Sequence, residues 1–388
     1  MAAKPAAAFL IHGPETKHRG GVLDMKVCVL GGCGDMAKVA VRLLNGEQDV
    51  NEIIIADLNV DKAEAFAKEI GAKATAVKVD AMDPKSVSGV VADSDVALGF
   101  IGPFYMFEKK IIGACIDAKT PYVSICDDYD AYLDAITMDA PAKAADVTII
   151  AGLGNSPGIT NLLAKKGYQS MDECRKIHIQ WAGGSNEDVG LANIKHVLHI
   201  FSGHTLQWKN GKEVKVKTGM GRKVVEFPAP MGKLPVYYTG HAESVSVPRN
   251  LPGLDEVTLH GGIHPPYIAA LATTVGLLGL TNTPEKRDKL ANFFLPIENS
   301  GVFGKGGLDK SVFRIDAYGK KNGKSAHHTY SGVGHIADIT SIPAVEGALM
   351  IARGQLNKPG VHAAESALEP DDFLPRIQQR GVELFFKE

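Results

Sequence analysis

The chain has 388 residues, 45% of them hydrophobic, with 42 Lys and Arg against 44 Asp and Glu for a net charge of −2. The length suits two domains rather than one core. The balanced charge leaves no basic surplus to neutralise phosphates, which argues against a nucleic-acid partner. Five scattered cysteines (Cys28, Cys33, Cys115, Cys126, Cys174), odd in number and without CxxC spacing, predict reduced thiols and a cytoplasmic location.

In chain order, residues 1–24 read as a flexible N-terminal extension, because the apolar run Ala6–Ile11 is too short for a signal segment. Alternating elements then fill residues 25–150. Lys26–Leu30 is a short apolar strand, Met36–Leu44 has helical spacing, Glu52–Ala56 is a strand and Val60–Ile70 a helix. Ala74–Val79, Val96–Phe100 and Tyr122–Ile125 continue the strands, Glu108–Ala118 is a helix between them, and Val147–Ala151 is a sixth strand. This alternation predicts an α/β fold with a Rossmann-type, doubly wound parallel sheet. A helix is expected from near Pro157, with Ser156 as its N-cap.

After about residue 174 the pattern changes. Lys176–Trp181 reads as a strand, Gly190–Phe201 as a helix, and Asn210-Gly211 as a hairpin turn. Strand-like runs follow at Val224–Phe227, Val236–Thr239 and Val257–His260, and Asn322-Gly323 marks a second hairpin. The stretch Ile268–Leu280 is too short to cross a bilayer and reads as a buried helix, so no membrane partner is expected. Residues 151–334 are therefore expected to form a second, α+β domain of mainly antiparallel strands for substrate and oligomerisation. Helices at Pro343–Ala352 and Asp371–Arg380 return, so that residues 335–388 complete the first domain.

Gly32-Cys33-Gly34-Asp35-Met36-Ala37 fits G-x-G-x-x-A between a strand and a helix, the context that a dinucleotide-binding turn requires. Gly32 permits the tight turn, Gly34 lets a pyrophosphate approach the backbone, and Ala37 lets helix and strand pack closely. Asp35 and Met36 open the helix, whose free N–H groups face the phosphates. Asp57 ends the second strand, where a carboxylate accepts from ribose hydroxyls and repels a 2′-phosphate, so NAD is expected over NADP. Asp80 and Ala81 follow the third strand, where an adenine edge would lie, and Gly102 and Pro103 follow the fourth, at the carboxyl ends of the strands.

Four motifs carry a resemblance: Val29–Ala37, Gly102-Pro103-Phe104-Tyr105, Tyr122–Asp128, and Ala151–Asn161 with its Gly-Leu-Gly-Asn-Ser-Pro-Gly run. They resemble the saccharopine dehydrogenase-like superfamily, which includes saccharopine reductases, carboxynorspermidine synthases and lysine 6-dehydrogenases. Weaker likeness lies in Tyr237–Glu243, in Lys358–Val361 and in Pro370–Phe373. Asn155-Ser156 and Cys126-Asp127-Asp128 depart from the saccharopine reductase pattern, and together with Asp57 they look more like the lysine 6-dehydrogenase branch. The resemblance implies an NAD(P)-dependent oxidoreductase acting at the CH–NH bond of an amine or amino acid, as in lysine oxidative deamination. Its alternatives are a reductive condensing enzyme and, in another class, a non-catalytic NAD-binding sensor or scaffold.

Such chemistry needs a base for the amine proton. Asp127 and Asp128 end a sheet strand and would attract an ammonium; since neighbours face opposite sides, Asp128 is taken as catalytic and Asp127 as substrate-binding. His241 is the second catalytic candidate, because its ordinary pKa lies near neutrality. Strand alternation places Glu243 on the same face as His241, as a substrate contact. Asn155, before the helix start, and Tyr105, in the Pro-aromatic loop, complete the substrate set. His196 and His199 stand at i, i+3, yet the histidine spacings match no zinc pattern, so no metal is expected. Arg222 and Lys195 read as surface cations rather than carboxylate clamps. The hairpin edges of the second domain suggest a homo-oligomer, a dimer in the simplest case.

Overall fold

The computed structural model describes residues 18–19, 22–187, 191–299 and 307–388. Most of the expected extension (residues 1–17 and 20–21) and Gly190 of the expected helix lie outside the described residues; His18–Arg19 and Val22–Leu23 pair antiparallel.

The first layer is built as the alternation requires. β1 (Met25–Leu30), α1 (Asp35–Asn45), β2 (Val50–Asp57), α2 (Val60–Ile70), β3 (Ala74–Lys78), α3 (Pro84–Val91), β4 (Val96–Gly99), α4 (Phe104–Ala118), β5 (Tyr122–Ser124), α5 (Tyr129–Ala135) and β6 (Thr148–Ala151) follow one another. All strands are parallel, so each needs a crossover, and the helices supply them. The strand order is 3-2-1-4-5-6, and a late strand, β15 (Gly360–His362), lies beside β6. β1 is buried on both faces: Val27 and Val29 pack toward α1, while Cys28 and Leu30 pack toward α4.

After α6 (Ile159–Gln169) the chain enters a second sheet of nine strands. It comprises β7 (Glu173–Gly184), β8 (His204–Lys209), β9 (Lys212–Lys217), β10 (Lys223–Glu226), β11 (Lys233–Tyr238), β12 (Glu256–His264), β13 (Ser311–Lys321), β14 (Lys324–Gly334) and, near the C-terminus, β16 (Glu383–Lys387). Its order is 9-8-12-7-13-14-16, with the β10–β11 hairpin joined through β11 to β12. The β7–β12 pair is parallel and the others are antiparallel. Both Asn-Gly turns form with positive φ at each central residue: 53° and 71° at Asn210-Gly211, 53° and 73° at Asn322-Gly323. That geometry matches the strand twist of a two-residue hairpin.

Around this sheet lie α7 (Leu191–Ile200), α8 (Glu243–Asn250), α9 (Pro266–Leu277) and α10 (Pro284–Asn299). The segment expected to be a buried helix is only half so. Ala269, Ala272 and Val275 are buried, but Leu271, Leu277, Leu278 and Leu280 are exposed. Its apolar content serves a cavity wall and an open face rather than a closed core. Among the described residues no helix is long and apolar enough to cross a membrane.

One hydrophobic cluster runs from Val27 and Val29 through Leu162 and Leu163 of α6 to Ile177, Ile179 and Phe313 of the second sheet. The C-terminal part serves both layers. α11 (Ile336–Ala352) packs on α1, β15 extends the parallel sheet, α12 (Pro370–Gln379) packs on α6 and α11, and β16 pairs with β14. Arg353 binds Asp49 at 2.7 Å and Glu47 at 2.7 Å, and Arg380 binds Glu47 at 2.8 Å and Glu346 at 2.7 Å.

Candidate functional site

The turn after β1 is held by its own backbone. Gly31 and Gly32 donate to the Ala56 carbonyl, and Gly31 has φ of +76°. A Cβ on Gly32 would stand 2.7 Å from Ile55 Cγ2, so the strand–turn contact forbids one. Gly34 differs. It has φ −70° and ψ 156°, caps α1, and a Cβ there would meet nothing nearer than the Gly31 oxygen at 3.4 Å. The Gly34 side of the turn therefore faces open crevice, alongside the unpaired first-turn amides of α1. Ala37 is fully buried, and the Met36 carbonyl is tied to Ser341 Oγ of α11 at 2.7 Å. Asp35 is exposed beside Lys38. Asp57 braces the turn: its oxygens accept from Cys33 N at 3.1 Å and Asn59 N at 3.0 Å.

The crevice leads into a cavity of about 500 Å³ at the carboxyl ends of β4, β5 and β6. Gly34, Asp35, Met36 and Ala37 form one end of its wall, and Gly102, Pro103 and Tyr105 another. Asp127, Asp128, Asn155 and His241 border it as well. The second layer closes it with apolar groups of α7 and α9, including Val197, Leu198, Ile268 and Val275. Gly32, Asp57, Asp80, Ala81 and Glu243 are not part of this wall. Asp80 is exposed and accepts from Met82 N within its own turn.

Asp128 precedes α5 but its side chain does not cap that helix. It is buried, and Oδ2 accepts from Tyr105 N at 3.3 Å. Its backbone pairs with that of His241 across the two layers. From α7, His199 Nε2 reaches Asp128 Oδ1 at 3.7 Å and Asp130 Oδ2 at 3.8 Å, and its ring lies 4.6 Å from that of Tyr105. Asp128, Asp130 and His199 each offer a possible metal-ligand atom within 4.8 Å of one another. The side chain of His196 lies outside the described residues.

Ser156 does not cap a helix. α6 begins three residues later, with Gly158 as N-cap and Asn161 Oδ1 accepting from Gly158 N. The Ser156 hydroxyl instead donates to Glu243 Oε1 and lies 3.4 Å from His241 Nδ1. Glu243 starts α8, so strand alternation is not what brings it near His241; the turn into the helix is. Burial pushes its carboxyl up to about 7 despite hydrogen bonds from Ser156 and Thr160. The His241 ring stacks on Trp181 with centroids 5.0 Å apart and planes 4° from parallel. Asn155 is 7% exposed and its Oδ1 has no hydrogen-bond partner among the described residues. Beneath β5, Glu108 is fully enclosed with Ser124 Oγ and Tyr122 OH on its carboxyl; burial pushes it up to about 7, and Asp128 and Asp127 add to the rise.

Sequence reasoning missed His199, Trp181, Ser156 in this role, Glu108 and Glu187. Glu187, on the cavity wall, accepts from Ser311 Oγ and Ile336 N, both at 3.0 Å. Among the described wall residues are the acids Asp35, Asp127, Asp128 and Glu187, and no Lys or Arg. Lys195 pairs with Asp288 at 2.8 Å and Arg222 is exposed.

Residues 27–150 match the saccharopine dehydrogenase NADP binding domain, and residues 154–382 match the saccharopine dehydrogenase C-terminal domain. The chain belongs to the saccharopine dehydrogenase family. It is an NAD(P)-binding oxidoreductase of this type. It is 25% identical over 403 residues to carboxynorspermidine synthase of Vibrio cholerae, covering 92% of this chain and 96% of that one. It is 22% identical over 407 residues to carboxyaminopropylagmatine dehydrogenase of a Synechocystis species, again covering 92% and 96%. Its fold superposes on apo saccharopine dehydrogenase (L-Glu forming) of Saccharomyces cerevisiae with a TM-score of 0.67 at 18% identity, covering 94% and 99% of the two chains. The residues present fit the family's dinucleotide: Gly34 presents a side-chain-free surface to the crevice, and Asn155 presents a buried amide oxygen without a partner among the described residues.

Proposed function

We propose that the protein transfers hydride between a nicotinamide dinucleotide, NAD in preference to NADP, and the CH–NH carbon of a multiply cationic, polyamine-type amine. The observation that carries this is the composition of the cavity wall: four acids, one histidine and, among the described residues, no cation. Carboxylates bordering a largely apolar cavity suit an aliphatic chain bearing ammonium groups, whereas a dicarboxylate needs cationic clamps. Both full-length relatives are named for a carboxyl-bearing polyamine, and the name of one, a synthase, supports the reductive, condensing direction. Lysine-type oxidative deamination is the second reading, favoured by Asp57 at the ribose position and by the acidic pair Asp127-Asp128.

The bound dinucleotide supplies the hydride acceptor or donor. The chain supplies the rest. Asp127 and Asp128 draw the ammonium to the carboxyl ends of the strands. His241 takes the nitrogen proton, or returns it in the reverse direction. His199 steadies Asp128 across the cleft. The apolar faces of α7 and α9 exclude water, so those charges act in a low-dielectric space.

The test is a panel of diamines and triamines, each with and without a carboxyl-bearing aldehyde, beside lysine, ornithine and saccharopine. Each is run with NAD(H) and NADP(H), following nicotinamide absorbance. Turnover of a polyamine-type substrate is expected. Tight dinucleotide binding with no turnover of any amine would overturn the reading in favour of a sensor or scaffold.

A further inference from the structure

Glu243 is fully buried, set back from the cavity behind Ser156. Its Oε1 accepts from Ser156 Oγ and, at 2.8 Å, from Thr160 Oγ1. A serine hydroxyl has one hydrogen. Because Ser156 gives it to Glu243, the hydrogen between Ser156 and His241 must come from the imidazole Nδ1, which makes Nε2 the basic atom of that ring. The three groups come from two places: Ser156 from the loop after β6, and His241 and Glu243 from the turn that joins β11 to α8. The Trp181 indole fixes the plane of the ring.

We propose that Glu243 is a positioning residue which, through the Ser156 hydroxyl, fixes the tautomer of His241 and receives the proton that the imidazole takes from the substrate nitrogen. This rests on the amine oxidoreductase reading above and gives that site a buried proton store. In the oxidative direction the substrate C–H bond breaks, its electron pair leaving as hydride to the dinucleotide, while the nitrogen lone pair closes the C=N bond. The N–H proton passes to His241 Nε2, the Nδ1 proton to Ser156 Oγ, and the Ser156 proton to Glu243 Oε1. The reductive direction runs the same chain backwards.

The surroundings suit the task. The charged group facing Glu243 from another element is Glu365, of the short helix Ala364–Ala367, which raises its pKa further. Glu365 is itself held by Asn161 and Asn250. Nearby titratable groups are turned elsewhere: Lys165 of α6 to Glu369, Arg249 of α8 to Glu213, and His260 of β12 against Tyr238. Tyr132 of α5 lies on the Glu365 side, and His204 of β8 is exposed. A carboxyl at about 7 can hold and release a proton near neutral pH.

The experiment compares wild type, Glu243→Gln, Ser156→Ala and Ser156→Thr, all saturated with dinucleotide. Nitrogen-15 NMR of the histidines reads the His241 tautomer, and infrared spectroscopy, run with Glu108→Gln in every sample because that carboxyl is also pushed up to about 7, reads a second buried carboxyl titrating near neutrality. Wild type should show Nδ1–H and that carboxyl band. Glu243→Gln should lose the band, and Ser156→Ala should scramble the tautomer. Both should lower kcat by roughly 10²- to 10⁴-fold and remove the near-neutral ionisation from its pH profile. Ser156→Thr, which keeps the hydroxyl, should restore most of the rate. A wild-type tautomer in Ser156→Ala, or an unchanged pH profile in Glu243→Gln, would overturn the proposal. If no amine is turned over, the functional reading fails, while the tautomer and the carboxyl band still decide whether the relay exists.

Discussion

Replacing Gly34 by Ala separates cofactor binding from folding more cleanly than any other single change at this site. The backbone there (φ −70°, ψ 156°) is open to any L-residue, and the added Cβ has ordinary contact with the Gly31 oxygen at 3.4 Å. Loss of unfolded-state freedom stabilises such a change by about 0.4–1 kcal/mol. Ala is a poorer helix cap than Gly by about as much, so the melting temperature should barely move. In the crevice, however, the methyl occupies the space that a diphosphate needs to reach the α1 amides. Each charge-assisted bond lost there costs about 1.5–3 kcal/mol, which weakens binding roughly 10- to 150-fold. Titration of NADH fluorescence, beside thermal melting of the same samples, measures both quantities. Gly32→Ala is the control: its Cβ would lie 2.7 Å from Ile55 Cγ2, so it should lower the melting temperature as well. A Gly34→Ala protein that binds NADH as wild type does, or that melts early, would refute the assignment of the crevice.

Three further outcomes follow from the same geometry. Asp57→Ala removes the acceptor of two backbone amides and should cost about 1–2 kcal/mol of stability; the ratio of NAD to NADP affinity should fall in parallel titrations. Glu108 has its carboxyl raised from an ordinary 4.5 to about 7, so its contribution to stability is complete below 4.5 and lost as pH rises through 7. The loss is roughly 3 kcal/mol, and Glu108→Gln should flatten that limb of the denaturation-against-pH curve. Arg353→Ala leaves Asp49 and part of Glu47 without their partner and should destabilise by about 3 kcal/mol. Arg353→Lys should recover little of it, because a single ammonium cannot bind both carboxylates in the same fork.

What could be read from the sequence was what is local. The G-x-G-x-x-A turn, its strand and its helix lie within 21 consecutive residues, Met25–Asn45, and each glycine has a reason that neighbours supply. Asn210-Gly211 and Asn322-Gly323 announce their hairpins for the same reason. Ser156-Pro157 misled, because a Ser-Pro pair ahead of an apolar helix has the form of a cap, yet Gly158 and Asn161 cap it instead and release the serine for Glu243. The leucines after Ile268 looked like core because hydrophobicity does not say which side of a helix another element will cover. His199, Trp181 and Glu108 carry no local signal: His199 and Trp181 matter through Asp128 and His241, 60 or more residues away, and Glu108 through Tyr122 and Ser124 on the neighbouring strand. Only the assembled layers reveal such meetings.

The strand Gly360–His362 docks beside β6 after the chain has laid down eight of the nine strands of the second sheet. A nascent polypeptide emerging from the ribosome thus keeps the outer border of its nucleotide-binding half bare until nearly all of it has been translated. The two halves are spliced by the tail rather than strung in series, so heat or denaturant should melt them in one step, and removal of the final thirty or so residues should unravel both.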